Sequence, residues 1–144
     1  MIKVKYDMNN TDILPMHRAI LNNDYTVVRW IVNKINDLDN SAFSEYPGIC
    51  KINGITYTYL SLASFMNEYK ICVFLINNGA DKSLATYDVF MYAFQNENYS
   101  LVRYFYLIGM LDYLGIDEKN YILQIAKEKN KEYLLNPPEP NING

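Results

Sequence analysis

Histidine and cysteine are nearly missing from this chain, which has one of the former and two of the latter in 144 residues. A lone His17 with the isolated Cys50 and Cys72 cannot supply a metal-ligand set, and two cysteines far apart and in unlike contexts make no disulfide framework. Cys72 reads as a small buried hydrophobe, whereas Cys50 falls in a loop where exposure is open to it. A reducing, cytoplasmic setting follows from that cysteine usage, with a host cell as one possible location. Excess positive charge is missing too: 13 basic against 16 acidic residues leave a net charge of -3 and a pI near 5.1. No basic stripe for nucleic acid is visible, because Lys127, Lys129 and Lys131 alternate with Glu128 and Glu132 as on a solvated helix face. Apolar runs are too short to span a bilayer, and Met1 to Tyr6 alternates charged with apolar residues, unlike a signal peptide. Without a secretory signal the sequons at Asn9 and Asn98 carry no weight.

Catalytic signatures are also wanting. There is no glycine-rich phosphate loop, no G-x-S-x-G and no H-E-x-x-H. The acid pairs Asp37 with Asp39 and Asp117 with Glu118 fall in loops and at helix starts, where carboxylates satisfy free backbone N–H groups. The expectation is therefore of a protein that is not an enzyme and needs no cofactor or metal.

What the chain has is apolar mass and periodicity. Half of its residues are apolar, sufficient for a core in one domain of this length. Thr58-Tyr59-Leu60-Ser61-Leu62-Ala63 is followed sixteen residues on by Gly79-Ala80-Asp81, and the same frame fits three more times. Leu14 to Ala19 pairs with Val27 to Val32, Asp88 to Ala93 pairs with Leu101 to Tyr106 and Gly109, and Tyr121 to Ala126 opens a fourth copy. Ala19, Ala63, Ala93 and Ala126 each sit mid-helix, where a larger side chain would hold the neighbouring repeat away. Four residues beyond each alanine stand Asn23, Asn67, Glu97 and Asn130. Asparagine tolerates the left-handed conformation that ends a helix, so three copies carry suitable chemistry. At Glu97 the turn is either strained or shifted to Asn96 or Asn98. Gly79 and Gly109 stop the second helices.

These residues resemble the ankyrin repeat, whose pattern runs T-P-L-H-x-A, a helix break, a second apolar helix, then G-A-D. The resemblance implies an all-α solenoid of stacked helix-turn-helix repeats near 13–37, 57–84, 87–110 and 120–135. Residues 1–136 form that single domain, 37–55 an inserted loop and 137–144 a mobile tail behind Pro137 and Pro138. It also implies that His17 is structural, bonding the turns between repeats. The loop is either a recognition element or a spacer pinned by Phe43, Tyr46 and Ile49.

The function the resemblance implies is binding of a protein partner on a concave face, by a chain that is monomeric alone and takes neither nucleic acid nor membrane. The turn positions would be Ile13, Tyr57, Tyr87 and Asn120. First-helix positions on that face would be Leu21, Asn22, Phe65, Met66, Gln95, Asn96, Glu128 and Lys129. Phe65-Met66 exceeds what helix periodicity needs for a core face, which suggests either a partner anchor or cover by the 37–55 loop. A host-directed or toxin-neutralising role fits such a binder. The alternative is a structural or assembly subunit that self-associates through the apolar groove edge.

Overall fold

Each helical hairpin of this chain turns on one alanine carbonyl. The computed structural model describes residues 15–38 and 50–138, and within them α1 (Pro15–Leu21), α3 (Tyr59–Phe65), α5 (Thr86–Gln95) and α7 (Ile116–Glu128) contain Ala19, Ala63, Ala93 and Ala126. Asn23, Asn67, Glu97 and Asn130 all have positive φ, between 51° and 60°. The residue after each sends its N–H back to the alanine carbonyl: Asp24 to Ala19 at 2.8 Å, Glu68 to Ala63 and Asn98 to Ala93 at 3.0 Å, and Lys131 to Ala126 at 2.7 Å. The left-handed residue itself bonds one position later, to Ile20, Ser64, Phe94 and Lys127. That pair of bonds is the Schellman motif, which satisfies two carbonyls a helix end would otherwise leave bare. The alanines are at most 4 % exposed, so each methyl lies in the interior while its carbonyl closes the turn.

Immediately after the turn the chain starts helices α2 (Tyr25–Leu38), α4 (Tyr69–Asn77) and α6 (Tyr99–Leu107). Asp24 and Asn98 cap α2 and α6, their side-chain oxygens accepting from the backbone of Val27 and Leu101 at 3.1 Å. In the last unit the place of a second helix is taken by one short 3-10 turn, Glu132–Leu135, while another, Met110–Tyr113, follows Gly109. Gly79 and Gly109 have φ of 94° and 83°, as expected of residues that stop helices.

First helices pack on first helices: α1 against α3, α3 against α5, α5 against α7, with α2 also meeting α4. Asn96 Nδ2 donates to the carbonyls of both Ser64 and Phe65 at 3.0 Å, and Ser64 Oγ donates to Val89 O at 2.7 Å. Asn98 Nδ2 reaches the Asn67 side chain at 2.8 Å, joining consecutive turns. The core between the rows holds Ile20, Leu62, Ile71, Leu75, Phe90, Phe94, Leu101, Phe105 and Ile122. In α7 only Ile122 and Ala126 are buried. No helix of the described residues is long and apolar enough to cross a membrane.

Three expectations need correction. A β-hairpin interrupts the helices: β1 (Cys50–Ile52) pairs antiparallel with β2 (Ile55–Tyr57), in the register Cys50↔Tyr57, around Asn53-Gly54, whose φ values are 53° and 82°. Two consecutive left-handed residues make the tight turn whose twist matches that of the strands. Of the expected 37–55 loop, residues 37–38 instead continue α2 and 50–55 begin the hairpin, while 39–49, including Phe43, Tyr46 and Ile49, lie outside the described residues. So do Ile13 and the tail beyond 138. Tyr87 and Asn120 stand inside α5 and α7 rather than at turns.

The turn at Glu97 is not shifted to a neighbouring asparagine, since Glu97 itself takes φ 55°. A left-handed non-glycine residue costs about 1–2 kcal/mol, less for asparagine. Glu97→Asn should accordingly raise the unfolding free energy by about 0.5–1 kcal/mol, read from the urea midpoint at constant slope. An unchanged or lower midpoint would show that this conformation carries no strain.

Candidate interaction surfaces

Three of the residues expected on an open groove face are inside. Leu21 and Met66 are buried in the core cluster, and Tyr57 is buried at the end of β2. The hairpin delivers Tyr57 to the start of α3, which Thr58 caps by accepting from Ser61 N at 3.0 Å while Ser61 Oγ accepts from Thr58 N at 2.9 Å. Tyr57, Phe65 and Tyr92 then form one aromatic cluster, with centroids 5.5 Å apart for Tyr57 and Phe65 and 5.0 Å apart, edge to face, for Phe65 and Tyr92. Burial, with Tyr57 close by, raises the Tyr92 phenol to about 12. Phe65 is half-buried and its own carbonyl is bonded by Asn96. Neither residue is a free contact: Phe65 fills a cluster and Asn96 ties α5 to α3. Asn22, Gln95, Glu128 and Lys129 are exposed, and Glu128 accepts from Gln124 Nε2 at 3.1 Å.

Tyr87 belongs to a different feature. Its ring lies 6.2 Å from that of Tyr121, on the rim of a cleft of about 250 Å³ that Asp88, Tyr113 and Glu118 also line. Partial burial pushes the Asp88 carboxyl up, and the Glu118 carboxylate adds to the shift. The other polar positions weighed from sequence are interior. His17 is fully buried with its ring 4.6 Å from Tyr59. Cys72 is a buried free thiol, held protonated by burial and by the nearby Glu68. The exposure of Cys50 falls on a side chain outside the described residues. Among the described residues no three His, Cys, Asp or Glu side chains gather to hold a metal ion.

One surface was not anticipated. Every second helix begins with tyrosine, namely Tyr25, Tyr69 and Tyr99, and the Tyr25 and Tyr99 rings have cations over them. Lys70 Nζ lies 4.2 Å from the Tyr25 centroid, and Lys131 Nζ lies 4.8 Å from Tyr99 and 5.8 Å from Tyr133. The Tyr69 and Tyr104 rings are 6.1 Å apart across α4 and α6. Trp30 on α2 is 62 % exposed, with Lys34 Nζ 5.6 Å from its ring centroid. Tyrosine at the first position of each second helix was a signal legible in the repeat frame.

Against known proteins, no family model, no curated protein and no solved structure matches this chain.

Glu68 breaks the capping pattern. It occupies the position of Asp24 and Asn98 but makes no side-chain cap, and with one more methylene than Asp its carboxyl is buried with both oxygens unbonded. Burial raises it from 4.5 to about 8. Below pH 4.5 folded and unfolded chains both hold this proton. Between 4.5 and about 8 the unfolded chain releases it and the folded chain keeps it, so stability should fall as pH rises through that window. Glu68→Asn should remove that slope and, by restoring a short cap, add about 1 kcal/mol. Urea titrations of both proteins from pH 4 to 9 measure this, and parallel curves would refute it.

The Phe65 cluster makes a second expectation concrete. Phe65→Ala should cost about 2 kcal/mol, below the 3–5 of a fully buried phenylalanine, while Leu75→Ala in the core should cost about 2–5. A loss under 0.5 kcal/mol at Phe65 would restore it as a surface anchor.

Proposed function

We propose that this chain is a non-enzymatic, ankyrin-like solenoid that acts by stoichiometric binding of a protein partner, without a cofactor. The four alanine-centred turns in one frame support the repeat reading, because each unit presents the same faces to the same neighbours. The observation that carries the binding reading is the exposed aromatic strip along the second helices, where Trp30, Tyr69, Leu107 and Tyr133 are all more than two-fifths exposed. Large apolar and aromatic side chains left together in water mark an interaction surface, and tyrosine, tryptophan and arginine are the types that anchor interfaces. The face expected from the sequence, at Phe65 and Met66, is taken up by internal packing, so the partner surface moves to the outward side.

Capture from the native cell with the parent and with a Trp30→Ser, Tyr69→Ser double variant tests this. A partner retained at one-to-one ratio by the parent and lost by a variant of unchanged melting temperature is the expected result. A concentration-dependent dimer in light scattering, abolished by the same variant, would instead favour self-assembly. Equal retention by both proteins would remove the strip from function.

A further inference from the structure

The helices α4 and α6 and the last 3-10 turn meet around one cleft. Its volume is about 450 Å³, Tyr69, Tyr99, Arg103, Tyr104, Leu107 and Tyr133 among others line it, and among the described residues no carboxylate does. Arg103 is fixed in place: its Nη1 donates to the carbonyls of Tyr133, Leu134 and Asn136 at 3.3, 2.9 and 2.6 Å. Those partners are neutral, so among the described residues the guanidinium charge is oriented but not offset. Lys131 adds a second cation at the edge, spread over the rings of Tyr99 and Tyr133. Leu107 and Tyr133 are 50 % and 57 % exposed on the rim.

We propose that this cleft takes an extended, proline-bearing segment of a partner protein that carries acidic side chains. The inference rests on the protein-binding reading and names its chemistry. Four tyrosine rings and a leucine offer flat apolar walls with hydroxyl donors at their tips, the lining on which polyproline II segments dock, since that helix arrives already ordered and leaves its carbonyls free. Strand addition has no edge here, because the backbone around the cleft is helical and bonded to itself. Two cations with no facing acid among the described residues select for carboxylates in the segment, and Arg103, held by three carbonyls, loses little freedom on engaging one. Nucleic acid is the less favoured polyanion, because the whole chain is itself acidic, at -3.

The test uses the full chain and a labelled peptide of three Glu-Pro-Pro units, in which each acid recurs once per polyproline II turn of 3 residues. Titration followed by amide chemical shifts should show saturable binding at Tyr69, Tyr104 and Leu107. The matching Lys-Pro-Pro peptide should bind at least about tenfold more weakly. Leu107→Asp, which puts a carboxylate on the exposed rim, should weaken the acidic peptide at least about tenfold, and Tyr133→Ser should do so by loss of a wall. Equal affinity for the two peptides, or none for the acidic one up to millimolar concentration, overturns the proposal. Tighter binding of oligothymidylate at the same residues would reassign the cleft to nucleic acid, and peptide-independent, concentration-dependent shifts there would reassign it to a second copy. If the peptide fails while native capture still depends on Trp30 and Tyr69, the binding reading stands and only the chemistry proposed for the partner falls.

Discussion

The bond on which the fold most depends runs from an alanine carbonyl to the N–H five residues on. It closes each helix-to-helix turn, at Ala19, Ala63, Ala93 and Ala126 alike. Two demands converge on that one residue. Its carbonyl must accept the returning N–H, which fixes its distance from the left-handed position, and its side chain must be small, because the neighbouring first helix lies against it. Neither demand is negotiable alone, so the four units share a frame even where their other residues diverge.

Once the turns are set, the residue after the left-handed position has two duties: it sends its N–H backward and it begins the next helix. Asp24 and Asn98 serve both, with side chains short enough to cap. Glu68 serves only the first, and its carboxyl is carried into the interior without a partner. The next residue is tyrosine in α2, α4 and α6: Tyr69 is exposed, while Tyr25 and Tyr99 are half-buried against the core. The tyrosines at these helix starts thus recur with the turn, and Lys70 and Lys131 lie over the rings of Tyr25 and Tyr99.

The opposite edge shows how a groove position becomes core. The Asn53-Gly54 turn folds β2 back so that Tyr57 enters at the start of α3, next to Phe65 and Tyr92. Side chains that helix periodicity places at an edge are then enclosed by residues arriving from other units, and Asn96 spends its amide on the carbonyls beneath. What looks like an anchor for a partner is an anchor for the chain itself.

Much of this was written locally. Spaced alanines, the asparagines four residues beyond them, Gly79 and Gly109 specify helices and stops by short-range sterics, which a sequence displays directly. The tight hairpin was legible too, since Asn-Gly between alternating residues is a strong turn signal, although the longer stretch around it reads as loop. Exposure was not legible. Whether Leu21, Tyr57, Phe65 or Met66 meets water depends on which neighbour closes over it, and that is a contact between residues up to 35 positions apart, as between Tyr57 and Tyr92. The unpaired state of Glu68 likewise depends on the depth of the turn in the packed rows. Sequence by itself determined where the chain turns and which faces are apolar; only the tertiary structure decided which apolar faces were consumed in packing and which were left outside, because burial belongs to the assembled surface and not to the residue.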